Sequence, residues 1–124
     1  MVKYEWADAY ILSKKSVEKD FKAEWGVFRY MIRGKMFVMR GGDKNGSPIL
    51  TMKLDPELGL LLRERYTDIV PGYYTNKDHW NSLYLEGDVP DEIVRDMLDK
   101  SYEALLRSFS KKVQEEIAAE KKLR

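Results

Sequence analysis

The run from Trp25 to Arg40 constrains the fold of this chain more than any other segment. Between Trp25 and Ile32, residues Phe28, Tyr30 and Ile32 fall on one face and Val27, Arg29 and Met31 on the other, a period of two in residue types that favour extended backbone. Arg33-Gly34 then supplies a two-residue turn, with a glycine free to take the positive φ of tight hairpins, and Lys35 to Arg40 continues as the partner strand. So short a link commits the pair to antiparallel geometry, because a parallel neighbour needs a long crossover.

The remaining elements are read around this hairpin. Gly41-Gly42-Asp43-Lys44-Asn45-Gly46-Ser47 is a flexible connection to a third strand from Ile49 to Lys53, the second hairpin wing. Its glycines have neither P-loop nor dinucleotide-fingerprint spacing, and no helix opens after them. Upstream, Tyr4 to Leu12 spaces its apolar residues as a short helix, and Val17 to Phe21 reads as a ragged first strand. Asp55-Pro56-Glu57 opens a helix through an aspartate N-cap, a proline at the first helical position and an acid in the first turn. Leu58, Leu61 and Leu62 are expected as its buried stripe, with the helix stopping near Tyr66. Gly59 inside it costs about 1 kcal/mol against alanine, which suggests close packing against a neighbour or simple tolerance.

After a Pro71-Gly72 turn and a loop, Trp80 to Leu85 reads as a strand, and Pro90-Asp91-Glu92 opens the last helix. Ile93, Val94, Met97, Leu98, Tyr102, Leu105, Leu106 and Phe109 give that helix one wide apolar face that must be covered. Val113 and Ile117 continue the period past Ser110, a second N-cap candidate, and residues 110–124 are expected as a helical or frayed tail. The expected class is α+β: one antiparallel sheet with hairpin wings and helices packed against it.

Length allows one domain, residues 1–124, with a core of its own. The absence of cysteine rules out disulfides and thiolate metal sites and suits a reducing compartment. Charges near Met1 occupy the place of a leader's apolar run, and no stretch approaches the roughly 20 apolar residues of a membrane span. A cytoplasmic location without membrane attachment is expected. The net charge of +1 conceals an asymmetry. Through Leu54 there are 11 Lys and Arg against 6 Asp and Glu; from Asp55 to Phe109 there are 6 against 12. The sheet-forming part is therefore basic and the helical part acidic, a distribution that can offer a face to a polyanion.

Catalysis finds little support. General acid–base chemistry needs a partner to orient the lone His79, and Asp78, directly before it, points to the opposite face of an extended segment. One histidine and scattered carboxylates assemble no transition-metal site. A non-enzymatic protein without cofactor or metal is expected.

Lys53-Leu54-Asp55-Pro56-Glu57-Leu58, the block Pro71 to Tyr84 with Lys77-Asp78-His79-Trp80-Asn81 at its centre, Val89-Pro90-Asp91-Glu92 and Ser101-Tyr102 occur in an order and approximate spacing that resemble the MmcQ/YjbR family of small bacterial proteins. The resemblance runs from about Val27 to about Phe109. It implies a YjbR-like double-wing fold in which β-hairpins contact DNA. Carried onto this chain, it points to DNA as partner, with Arg33 and Lys35 on one tip, Lys44 on the other, and Lys53, Lys77, His79 and Asn81 as further polar contacts. Trp80 is expected chiefly as core or groove wall. Two departures from the family pattern stand out: the charged stretch Ser13 to Glu24 replaces a Pro- and Gly-containing link, and Asp78 occupies a commonly basic position. The alternative is a non-enzymatic ligand- or protein-binding module using a pocket formed by Tyr73, Tyr74 and Trp80. The stripe Phe109, Val113 and Ile117 is expected to be covered either by a second copy, in a homodimer, or equally by its own domain.

Overall fold

Alternating side chains on the central strands have one consequence throughout: helices cover one face of the sheet only. The computed structural model describes residues 3–72 and 76–120. Its elements are α1 (Ala7–Leu12), β1 (Val17–Lys22), β2 (Val27–Ile32), β3 (Lys35–Gly42), β4 (Pro48–Lys53), α2 (Pro56–Arg65), β5 (Ile69–Pro71), β6 (Trp80–Tyr84), α3 (Asp91–Ser108) and α4 (Lys111–Ala118). The strands form one six-stranded sheet in the order β1-β2-β3-β4-β6-β5, antiparallel at every pairing. The expected α+β class and antiparallel sheet are observed.

The Arg33-Gly34 turn has positive φ at both residues, 50° and 80°, the geometry that matches the twist of a two-residue hairpin. The strand after it is irregular at one point. Tyr30 pairs with Val38 but Met31 pairs with Met36, so Phe37 is an extra residue in β3. Such a bulge turns two consecutive side chains the same way, and both Phe37 and Val38 are fully buried in the helix-side core. Tyr102 of α3 meets the Phe37 ring edge-on at 5.9 Å, and Ser101 Oγ donates to the Phe37 carbonyl at 3.1 Å. The last helix is thereby fixed over the bulge.

Several expectations need correction. Trp25 lies in the β1–β2 turn rather than in a strand, and it is 58% exposed. The buried side of α2 is Gly59 and Leu62; Leu61 is 57% exposed. Gly59 decides this orientation, since a Cβ there would stand 2.8 Å from Asn81 Oδ1. Only a residue without a side chain lets the helix axis come so close to β6. Asp55 occupies the N-cap position, but its side chain makes no capping bond. Pro71, expected in a turn, instead ends a short strand, β5; on a sheet edge its missing N–H is tolerated.

Of the helical or frayed tail expected over 110–124, the part through Ala118 is a docked helix. Phe109 is extended, and Ser110 Oγ accepts from the Val113 amide at 3.2 Å to open α4. Ile117 is 2% exposed in the core, with Phe109 and Val113 packed against it. Of the two expected covers for this stripe, packing on its own domain is observed, complete at Ile117 and partial at Phe109 and Val113. Residues 121–124 lie outside the described residues.

Polar ties hold α1 to its neighbours. Asp99 of α3 accepts from Tyr10 Oη at 2.6 Å and from Lys14 Nζ at 2.5 Å. Burial pushes the Asp99 carboxyl up, but Lys14 and Tyr10 outweigh it and hold it below its ordinary value. The hydrogen bond to Asp99 in turn pushes Tyr10 up to about 12.

The two leucines of α2 should respond differently to truncation. Leu62→Ala should destabilise by about 2–5 kcal/mol and Leu61→Ala by no more than about 0.5 kcal/mol, measured by urea denaturation. Gly59→Ala should also destabilise, because the helix propensity gained, about 1 kcal/mol, is outweighed by crowding of the buried Asn81. The tie at Asp99 is tested by acid. A depressed carboxylate stabilises the fold above its unfolded pKa, and that contribution is lost as pH falls through the folded value. Asp99→Asn should therefore be less stable than the parent at neutral pH and show a shallower loss of melting temperature below about pH 4. Equal acid limbs for the two proteins would refute the tie.

Candidate nucleic-acid interface

Consecutive hairpins in an antiparallel meander place their turns at alternate ends of the sheet, and this decides which basic residues can act together. The Arg33-Gly34 turn precedes β3 and the Asp43–Ser47 loop follows it. At roughly 3.3 Å per residue, the strand's length separates the two by about 25 Å. Arg33 and Lys35 therefore do not share a surface with Lys44, as the wing expectation required. The first of these tips is also occupied. Arg33 Nη1 lies 3.1 Å from Glu116 Oε1 of α4, and Lys35 Nζ stands 5.5 Å from the centre of the Phe109 ring.

The Lys77 to Asn81 block is likewise divided, because alternate residues of β6 face opposite sides. Asn81 pairs with the core residue Met52 and is fully buried; its Oδ1 accepts from Arg63 Nη1 of α2. It is a structural amide and not a surface contact. Lys77 Nζ donates to the Gly72 carbonyl at 2.9 Å and so closes the loop before β6. The His79 carbonyl accepts the Leu54 amide at 2.7 Å, continuing the β4–β6 ladder, while its side chain is partly buried.

Trp80 faces the other side, opposite Lys53, and is partly exposed. It does not join the helix-side core, contrary to expectation. On that same face Thr51 Oγ1 and Ser82 Oγ share a hydrogen bond of 2.7 Å, and Met39 and Ile49 are buried apart from the main core. Tyr73 and Tyr74, the other expected pocket residues, lie outside the described residues. Among the described residues no group of three or more metal-ligating side chains occurs, and no helix is long and apolar enough to cross a membrane.

What the fold does bring together lies at the opposite sheet end, where the β1–β2 and β3–β4 turns are neighbours. Phe21 and Phe28 face each other across the β1–β2 pair, ring centres 5.0 Å apart, and are 54% and 40% exposed. Trp25 projects from the turn itself, where Gly26 takes a φ of 67°. Cations lie over these rings: Lys19 Nζ at 4.9 Å from Phe28, Lys22 Nζ at 5.4 Å and Arg29 Cζ at 6.0 Å from Trp25. Arg29 is held by Asp20 and Lys22 is 3.6 Å from Glu24, so the hairpin is charge-balanced locally.

Lys44, in the adjacent loop, belongs to no ion pair among the described residues. The loop under it is firmly built: Asp43 accepts from the Asn45 and Ser47 amides and from Tyr84 Oη. The sequence pattern does not point to this surface, because Trp25 falls in line with the alternation of the strand after it; the Trp-Gly pair between two short extended runs is the one local signal of a turn.

Comparison with known proteins agrees with the architecture. A family model described as YjbR matches residues 12–104. The chain is similar to the uncharacterised protein YjbR of Escherichia coli K12, 31% identical over 94 residues, which cover 76% of this chain and 79% of that protein. It is 35% identical over 63 residues to the uncharacterised protein YyaQ of Bacillus subtilis, covering 50% and 52% of the two chains. Among solved structures, Deinococcus radiodurans DR2400, with a DUF419 domain, superposes with a TM-score of 0.83 at 25% identity, covering 100% of this chain and 94% of that one. A Pseudomonas syringae protein shares the fold at a TM-score of 0.65 and 22% identity, covering 82% and 97%. With a matching domain over most of its length and relatives of this similarity, the chain belongs to the YjbR family.

Proposed function

We propose that this protein binds DNA at the sheet end formed by the β1–β2 and β3–β4 turns. The observation that carries the reading is the set of exposed rings, Phe21, Trp25 and Phe28, with cations laid over Trp25 and Phe28, beside Lys44, which belongs to no ion pair among the described residues. Aromatic faces that stack on bases and cations that track phosphates are the two components of sequence-tolerant recognition of nucleic acid, single strands above all. The two neighbouring turns supply the pair of wings, in place of the tips on either side of β3.

Local ion pairs leave few free charges, so affinity should be modest and dominated by the sugar-phosphate backbone. Single strands should bind at least as well as duplexes, since unstacked bases are open to Trp25. The acidic first turn of α3, Asp91 and Glu92, repels phosphate.

Fluorescence anisotropy with labelled oligonucleotides of unrelated sequence separates the possible surfaces. Lys22→Ala with Lys44→Ala should lower the slope of log affinity against log salt by roughly 1.5, as expected for two lost phosphate contacts. Trp25→Ala should weaken single-strand binding by about 1–3 kcal/mol with little change in melting temperature. Arg33→Ala with Lys35→Ala, at the far end, should leave binding unchanged. Equal effects at the two ends, or none at either, would overturn the assignment.

A further inference from the structure

A cavity of about 510 Å³ opens between α1 and the helix-side face of the sheet, a volume in the range of small-molecule sites. Its floor is apolar, formed by Ala7 and Ile11 of α1, Leu50 of β4 and Leu85 after β6. None of the residues discussed for DNA contact lines it, although Asp8 of its wall holds Lys19 and Arg40 pairs across the strands with Phe28.

The walls are fixed before any ligand arrives. Tyr4 has a φ of 58°, a left-handed backbone rarely taken by a bulky residue, and its hydroxyl donates to the Val89 carbonyl at 2.6 Å. Across the cavity, Tyr30 Oη donates to Asp8 at 2.6 Å, and Lys19 Nζ donates to the same carboxylate at 2.6 Å. Burial pushes the Asp8 carboxyl up, but Lys19 and Tyr30 outweigh it, so Asp8 stays ionised and already balanced at neutral pH. Lys3 is held by Asp88 and by the Gly87 carbonyl at 2.8 Å.

One charged group on the cavity wall differs from these. Arg40 of β3, exposed and between Phe28 and Leu50 in the cross-strand row, makes no side-chain hydrogen bond or ion pair among the described residues, although its charge acts on Asp8 and Tyr30 across the cavity. Its planar fork suits the two oxygens of a carboxylate. Glu5 and Glu86 also line the cavity and disfavour a multiply charged phosphate more than a single negative charge.

We infer that this cavity binds a small organic monocarboxylate, its head group on the Arg40 guanidinium and its apolar body on Ile11, Leu50 and Leu85. An NMR titration of the full chain with 4-phenylbutyrate, with the neutral 4-phenylbutyramide as control, tests it. Amide shifts should concentrate at Ala7, Ile11, Arg40 and Leu50, with the acid binding about tenfold tighter than the amide, the ratio that one charge-assisted contact supplies. Arg40→Gln should abolish that preference while keeping the parent's melting temperature and its weak binding of the amide. Equal affinity for acid and amide in the parent protein, shifts scattered away from α1 and β4, or an acid preference that survives in Arg40→Gln would each overturn the inference.

Discussion

Burial of one sheet face under the helices governs register, helix docking and the placing of polar groups in this structure, while Met39, Ile49, Thr51 and Ser82 are buried on the other face. Across four adjacent strands, Ile32, Val38, Met52 and Leu83 are fully buried, all on the side that α1, α2, α3 and α4 cover. Each such side chain contributes about 1.5–3 kcal/mol relative to exposure. The period of two then leaves no freedom in what the opposite face carries. A one-residue slip of any strand would exchange the two faces, so burial fixes register as well as stability. The bulge at Phe37 is the single place where β3 departs from strict alternation, and it does so by turning an additional aromatic side chain into the core.

Alternation also distributes the polar residues. Lys77, His79, Trp80 and Asn81 are adjacent in sequence and look like one functional surface. The strand sends Asn81 under α2 and Trp80 to the opposite face, while the Lys77 amine is used to close its own loop. Gly59 and Asn81 form one packing unit, which gives the helix glycine and the buried amide a common structural explanation. Turn positions obey a comparable rule. Because a meander reverses at every link, basic residues on successive tips are carried apart, and those on alternate tips are brought together.

Much of the architecture was legible from local chemistry. The β2–β3 hairpin could be read from its alternation and its Arg33-Gly34 turn and α2 from Asp55-Pro56-Glu57, because each signal acts within a few residues, whereas Ser110 marked an N-cap candidate without deciding between one continuous helix and a break. The candidate sites were far less legible. Trp25 looked like the start of a strand, and nothing near it in sequence marked it as exposed beside Lys44. Arg40 read as an ordinary strand residue, since its distinction is its place on the wall of a cavity built by distant segments.

Residue type at short spacing was enough to set the β2–β3 hairpin with its tight turn, β4, β6, the starts of α2 and α3 and the family of this chain. It was not enough to say which face of α2 is buried, that α4 closes over the Arg33-Gly34 turn, or which tips share an end of the sheet; those were settled by the assembled fold. The physical reason is range. Propensity, capping and turn geometry act over a few residues, whereas exposure, ion pairing and the meeting of separate hairpins depend on strand order and helix docking, which are set by burial summed over the whole core.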